Sequence, residues 1–205
     1  VNGSFNAIKV SGGIDLYLSQ YETESVAVSA SEVEYRNDIK TEVENGVLKI
    51  YFDGNKLASW KNRKLRAYVS FKKLELLMAS GASDIRVTGV IDVPLLRIEC
   101  NGASDFNGAI KVNEFSIELG GASDATISGT ATSVTIKSGG ASDFKGFDLI
   151  AENCTAHANG ASDIHITVNK ELNVHASGAS DISYKGEAVI KNLQTSGASS
   201  VKKKG

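Results

Sequence analysis

A four-residue unit, Gly-Ala-Ser followed by Asp or Ser, occurs seven times in this chain of 205 residues. Its glycines are Gly81, Gly102, Gly121, Gly140, Gly160, Gly178 and Gly197, with spacings of 21, 19, 19, 20, 18 and 19 residues. A fixed period of this length is typical of a solenoid, in which each coil buries its apolar side only against neighbouring coils. The repeat therefore restricts the chain to a stack of similar coils.

The residues around each motif alternate between apolar and polar. Leu96, Ile98 and Cys100 precede Gly102 at every second position, and another apolar residue, Phe106, follows four positions after it. This period of two indicates strands with one buried face, and each coil accommodates two strands and two corners. Successive coils would stack in parallel about 4.8 Å apart. We therefore predict an all-β fold, a right-handed parallel β-helix or two-sheet β-solenoid with coils of about 19 residues.

The first 75 residues carry strand patterns without the motif, including "FNAIKVSGGIDLYLSQ" and "SVAVSAS". The stretch "IKTEVENGVLKIYF" predicts a hairpin around Asn45-Gly46. We predict a single solenoid domain over residues 1–205, with irregular coils or a cap over 1–75 and regular coils over 76–205. A cap would cover a strand edge that otherwise invites aggregation.

Composition and charge exclude several classes of protein. Hydrophobic residues make up 41% of the chain and charged residues 22%, which excludes a disordered chain, and no run of 18 apolar residues predicts a membrane span. A net charge of −2 gives no drive toward nucleic acid. Residues 11–53 nevertheless contain nine acidic and three basic residues, whereas 54–74 contain seven basic and no acidic ones. Either oppositely charged strands face each other across a sheet, or the basic stretch meets an anionic partner.

The motif itself is best explained by a structural role at the corner of each coil. Glycine permits a positive φ at a corner, alanine would fit a tight row of converging backbones, and serine and aspartate can accept hydrogen bonds from unpaired backbone N–H groups. The predicted turn ladder consists of Gly81, Asp84, Gly102, Asp105, Gly121, Asp124, Gly140, Asp143, Gly160, Asp163, Gly178 and Asp181.

Three kinds of chemistry are alternatives to this explanation. Calcium-binding glycine-rich β-helices have a different period, and one turn per coil supplies too few oxygen ligands for an ion that takes six to eight. A serine hydrolase would need a marked nucleophile, and no Gly-x-Ser-x-Gly elbow occurs. His157 and His175 would stack outward in adjacent coils as a weak metal site, but a third ligand is not evident. We therefore predict no cofactor, metal site or catalytic residue.

The two cysteines are predicted to be free and buried. Cys100 and Cys154 lie three coils apart, which places them about 14 Å apart along the axis. A disulfide requires Cα atoms within about 7 Å.

One candidate binding group stands out in the polar stretch "DGNKLASWKNRK", where Trp60 is followed by Lys61, Arg63 and Lys64. An exposed tryptophan flanked by cations suits stacking on a sugar or on another protein. The alternative is that Trp60 folds back over the end of the solenoid.

The opening "FNAIKVSGGIDLYL", the strand "VLKIYF" and the series of glycine-serine turns resemble the bacterial family of putative auto-transporter adhesins with a head GIN domain. The resemblance covers nearly the whole chain, although Gly-Ala-Ser-Asp stands where shorter Gly-Ser-Gly turns are common in the family. It implies a pectin-lyase-like β-helix, a Bacteroidetes-type surface protein secreted behind a signal peptide or lipoprotein signal, and a role in cell adhesion. It brings no catalytic motif.

Two functions follow as hypotheses. The first is a non-enzymatic protein of the cell envelope or extracellular space, with its signal peptide removed before Val1, that binds a host or bacterial surface protein or a glycan. A periplasmic or outer-membrane lipoprotein fits the same description, and the flat sides of a solenoid allow a homo-oligomer. The second is a protein that binds or processes polysaccharide, by analogy with β-helical lyases. Those enzymes need clustered charges in adjacent coils, whereas the outward column here is mixed: Glu99, Glu118, Lys137, His157 and His175.

Overall fold

The computed structural model describes residues 3–54 and 63–205, and these form an almost entirely β structure. The strands are β1 Ala7–Ser11, β2 Asp15–Gln20, β3 Ser25–Ser29, β4 Ile39–Glu44, β5 Val47–Phe52, β6 Arg66–Phe71, β7 Leu76–Ser80, β8 Ile85–Asp92, β9 Leu95–Asn101, β10 Phe106–Leu119, β11 Ala125–Ser138, β12 Asp143–Ala158, β13 Asp163–Ala176, β14 Asp181–Lys185, β15 Val189–Thr195 and β16 Ser200–Lys203. A single short helix, α1 (Val33–Asp38), occurs in the described ranges. Neither it nor any other segment described has the helical length and hydropathy of a membrane span.

The strands form two parallel faces, as the alternating pattern predicts. We call face A the strands that follow a Gly-Ala-Ser corner, including β8, the first halves of β10 to β13, β14 and β16. Face B consists of the strands that precede a corner, including β7, β9, the second halves of β10 to β13, and β15. The long strands bend from one face to the other where two consecutive residues are exposed, as at Asn113 and Glu114. The predicted β-solenoid is therefore confirmed.

The N-terminal strands join the same sheets, but not in the order of the chain. On face B, β1 lies between β7 and β5, and β4 pairs antiparallel with the outer edge of β5. On face A, β2 lies between β8 and β6, and β3 pairs antiparallel with β6. The hairpin of β4 and β5 turns through Asn45 and Gly46, both with positive φ, as predicted.

The core consists of side-chain rows that run along the solenoid axis. One row on face B contains Leu96, Phe115, Val134, Cys154 and Leu172, all buried and in register. Cys100 is buried in a different row of the same face, in register with Leu119. Both cysteines are free, as predicted, and burial raises the pKa of each thiol to about 12. They are therefore protonated packing groups.

The tight row at the corner is formed by glycine, not by alanine. All seven motif glycines have φ between 69° and 85°. A Cβ atom placed on Gly140 would lie 2.4 Å from the Gly121 carbonyl oxygen, and equivalent contacts of 2.5–2.6 Å occur at Gly121, Gly160, Gly178 and Gly197. The motif alanines, by contrast, are exposed. The prediction that alanine occupies the tight row is wrong, because its methyl group points into solvent.

This geometry predicts unequal effects of alanine at two glycines with the same backbone conformation. Gly81→Ala places its Cβ 3.5 Å from the nearest atom, so it should cost only the left-handed backbone penalty, about 1–2 kcal/mol. Gly140→Ala adds the clash with Gly121 and should cost about 1–3 kcal/mol more. Urea unfolding measures both.

Ala141, the exposed residue next to Gly140, provides the control for the comparison of the two glycine variants. Ala141→Leu should change the free energy of unfolding by less than about 0.5 kcal/mol, because the side chain enters solvent. Equal effects of Gly81→Ala and Gly140→Ala would contradict the packing argument.

Candidate binding surface

The serines of the motif point inward and form a continuous hydrogen-bond column. Ser83, Ser104, Ser123, Ser142, Ser162 and Ser180 are fully buried. In the earlier coils each hydroxyl accepts a bond from the backbone of the preceding coil, as when Ser104 N–H donates to Ser123 Oγ over 3.1 Å. In the later coils the hydroxyl donates instead, as from Ser180 Oγ to the Ala158 carbonyl over 3.3 Å. The serine column thus satisfies polar groups that the corner would otherwise bury unpaired.

The aspartates of the motif lie at the surface beside this column. Asp105 Oδ1 accepts a bond from Asp124 N–H over 2.9 Å, and Asp124 Oδ1 accepts one from Asp143 N–H over 3.2 Å. Lys145 Nζ lies 2.6 Å from Asp124 Oδ2, and this hydrogen bond raises the pKa of Lys145. Arg86 pairs with Asp84 over 3.2 Å. Partial burial, followed by repulsion from Asp105 and Asp15, raises the pKa of Asp84.

The aspartates therefore use backbone donors and two cations to limit their mutual repulsion. Within residues 3–54 and 63–205 no three His, Cys, Asp or Glu side chains are grouped in a way that could hold a metal ion.

Only Arg63 and Lys64 of the predicted binding group lie within the described residues. Trp60 and Lys61 lie outside the described residues, and Lys64 is exposed. Arg63 is not an exposed cation, since only 7% of its surface is accessible. Its guanidinium lies 4.8 Å from the ring centroid of Phe52 and 5.5 Å from that of Tyr35. Arg63 is thus removed from the predicted surface patch by its packing against two aromatic rings.

Several charges of the acidic and basic stretches meet across the sheet. Asp15 is in register with Arg66 on the neighbouring strand, and Lys72 Nζ lies 3.1 Å from Glu22 Oε2. This register pair and this ion pair agree with the interpretation of opposite charges on adjacent strands.

A tyrosine pair on the outer surface of face A was not singled out from the sequence. Tyr17 and Tyr68 stack with their ring centroids 5.1 Å apart and an angle of 17° between the rings. Arg86 lies beyond Tyr17, 5.8 Å from its centroid, and covers that end of the stack. At the other end the cross-strand neighbour of Tyr68 is Ala27, which is too small to cover the ring. Tyr68 is 43% exposed as a result.

Several hydroxyl groups line the same depression as this open ring. Ser25 Oγ and Ser70 Oγ are 2.8 Å apart, and Ser70 Oγ donates to the Thr23 carbonyl over 2.7 Å. Tyr21, 63% exposed, lies at the same rim. Together these groups line an open depression of about 430 Å³, which we call the tyrosine slot; its lining residues are Tyr17, Leu18, Ser19, Tyr21, Thr23, Ser25, Ala27, Tyr68, Val69, Ser70 and Thr88.

A larger depression, of about 630 Å³, runs along the opposite corner of the coils. Its charged groups are already paired, with Lys111 Nζ 2.9 Å from Asp92 Oδ2 and Lys170 Nζ 2.8 Å from Glu152 Oε2. Its lining, drawn from the described residues, contains no aromatic ring. The tyrosine slot is the stronger candidate, because it combines an open ring face with hydroxyl groups.

The predicted histidine pair lies on face B. His157 and His175 occupy adjacent coils, and their rings stack with centroids 4.7 Å apart. Nδ1 of His175 is buried and has no hydrogen-bond partner among the described residues. Burial, followed by repulsion from His175 and Lys137, lowers the pKa of His157. The fold therefore favours the neutral form of His157.

This shift predicts how stability depends on pH near the pair. Because the folded-state pKa of His157 lies below its ordinary value of 6.5, the unfolded chain binds the extra proton more readily. The contribution of His157 to stability should be complete above pH 6.5 and decline as the pH falls below that value toward the folded-state pKa. Unfolding in urea from about pH 8 to pH 5, which spans the imidazole titration, should show a flatter profile for His157→Gln than for wild type.

A second variant tests the cause of this shift. Lys137→Gln removes one of the repelling charges and should weaken the pH dependence without abolishing it. Identical profiles for wild type and His157→Gln would contradict the assignment.

The parallel two-face coils and their glycine corners place this chain in the class of β-solenoid proteins. It belongs to the family described as "Putative auto-transporter adhesin, head GIN domain", which it matches over residues 4–188. No curated protein matches the chain.

Several solved structures are similar to this chain. One is a "putative adhesin" from Bacteroides fragilis, with a TM-score of 0.87 and 20% identity over 98% of this chain and 93% of that chain. A "putative lipid binding protein" from Parabacteroides distasonis has a TM-score of 0.72 at 20% identity, with the same coverage. A "putative adhesin" from Parabacteroides merdae has a TM-score of 0.67 at 20% identity, over 99% of this chain and 93% of that chain. At these identities the similarity shows a shared fold.

Proposed function

We propose that this protein is a non-enzymatic adhesin of the cell surface or envelope that binds carbohydrate in the tyrosine slot. The observation that carries the proposal is the open face of Tyr68 above Ala27, on a ring fixed by its stacking on Tyr17. Family membership and the adhesin structures of the same fold support the general role in surface interaction.

The slot offers the two kinds of contact that a sugar ring needs. The C–H face of a pyranose is apolar enough to pack on an aromatic ring, while its rim of hydroxyls exchanges hydrogen bonds. Ser25, Ser70 and Thr88 line the same depression as Tyr68 and supply hydroxyls to it. Since the slot is open, a terminal sugar or one unit of a longer chain could enter without any movement of the backbone.

The composition of the slot favours binding over hydrolysis. Its lining contains rings, apolar side chains and hydroxyls, but no carboxylate or imidazole among the described residues. Glycoside hydrolysis ordinarily uses a pair of carboxylates placed on either side of the scissile bond. The second hypothesis, a polysaccharide-processing enzyme, is therefore less well supported by this surface.

Glycan-array screening followed by calorimetry with the best ligand tests the proposal. Tyr68→Ala should weaken binding about tenfold, which corresponds to a loss of about 1.4 kcal/mol of stacking. Tyr68→Phe should retain binding because it keeps the ring face. Ala27→Phe should abolish binding by covering that face with a cross-strand ring, without removing any contact of the fold.

The matched control is Tyr51→Ala, which removes a half-buried tyrosine of β5 on face B. It should leave glycan binding unchanged. Binding that survives both Tyr68→Ala and Ala27→Phe would exclude the slot as the site, and release of shortened glycans would contradict a non-enzymatic role.

A further inference from the structure

We infer that copies of this protein associate head to tail, with the C-terminal coil of one copy seated on the outermost N-terminal strands of the next. Four strands of the described chain have only one neighbour each: β15 and β16 at the C-terminal end, and β3 and β4 at the N-terminal end. Each end therefore presents one open edge on face A and one on face B. This inference does not depend on the tyrosine slot.

The apolar rows of the core reach the surface at the C-terminal end. Leu193 continues the buried row of Val174 but is 54% exposed, and Val189 is 59% exposed. Ile190 and Val201 are only partly buried in the same coil. At the opposite end, Val26, Val28 and Val43 of β3 and β4 are also only partly buried against the core. Stacking one end on the other would join the two sets of apolar side chains and remove them from water.

The charges of the two ends are opposite. Residues 21–44, which contain β3, α1 and β4, have seven acidic and two basic residues, a net charge of −5. Residues 189–205, which contain β15 and β16, have four lysines and no acidic residue, a net charge of +4. Contact between two C-terminal ends or two N-terminal ends would bring like charges together, whereas head-to-tail contact brings opposite charges together.

The strand directions give this contact a specific alignment. β3 and β4 run opposite to the parallel strands of their faces, so β15 would pair antiparallel with β4, and β16 with β3. The lengths match, with seven residues against six and four against five. Antiparallel alignment brings Lys191, which is near the start of β15 and 3.4 Å from Glu171, toward Glu42 and Glu44 at the end of β4. It likewise brings Lys204, just after β16, to Glu24, just before β3.

Such a contact uses different surfaces on the two partners, so it leaves one free end of each kind. Association of this type continues into a linear chain unless a rotation closes it into a ring. The two faces would continue from copy to copy, with each outward surface repeated along the assembly.

Sedimentation velocity over a concentration series, at low and high salt, tests this inference. Wild type should form species larger than a monomer as concentration rises, and salt should weaken them because the contact is charge-assisted. Lys202→Glu/Lys204→Glu changes two lysines that make no ion pair within the described residues. It should weaken association at least about tenfold, as should Glu24→Lys/Glu42→Lys at the other end.

An equimolar mixture of the two charge-reversed variants is the decisive sample. In the first variant the net charge of residues 189–205 falls from +4 to 0, and in the second the net charge of residues 21–44 falls from −5 to −1. The mixture still contains the unchanged basic end of the second variant and the unchanged acidic end of the first, so it should associate more strongly than either variant alone. Lys137→Glu, a charge reversal in a central coil, serves as the control and should associate normally. Thermal melts should show that all variants are folded.

Wild type that stays monomeric at millimolar concentration would overturn the inference, as would charge-reversed variants that associate normally or a mixture that does not recover. Wild type that is monomeric but sediments with vesicles of anionic lipid would show instead that the basic end meets a membrane, and would also overturn it.

Discussion

Close backbone contact between successive glycine corners is the constraint on which the rest of the solenoid depends. Five of the motif glycines have a carbonyl that accepts a bond from the alanine N–H of the next coil, over 2.8 Å between Gly121 and Ala141; they are Gly102, Gly121, Gly140, Gly160 and Gly178. A Cβ on the following glycine would collide with that carbonyl. Because the corners approach this closely, the serine hydroxyls inside and the aspartate oxygens outside come within reach of neighbouring backbone groups. The four residues of the motif thus all take part in one stacked corner.

The sequence was sufficient to predict the solenoid, its register and its two buried free cysteines, because the repeat and the period of two are local signals. The orientation of the corner side chains follows from the same period. Ser104 lies two residues after Gly102 and two before the inward Phe106, so continuing the alternation through the turn places serine inside and alanine outside. The positive-φ glycine does not interrupt this alternation of inward and outward side chains. The serine column could therefore have been predicted from the alternation alone.

The candidate slot could not be predicted in the same way. Tyr17 and Tyr68 are distant in sequence and meet only because β6 pairs with β2 on the side away from β8. No local pattern in the first 75 residues encodes this order of strands. Arg63 shows the same limit, since its burial depends on Phe52 and Tyr35 from two other elements. The N-terminal coils do not repeat, so their surface differs from that of the later coils, and the candidate slot lies there.

The position of β1 and β2 between later strands also has a consequence for how the chain acquires its structure. The corner between β1 and β2 is completed only when the Ile14 N–H donates a hydrogen bond to Ser83 Oγ, which lies 69 residues later in the sequence. Residues at the N-terminus therefore cannot form a stable nucleus until about the first 90 have emerged, whereas each later coil needs only the one before it. Under mechanical load the C-terminal coils would peel away one by one, and the interleaved N-terminal strands would resist as a block.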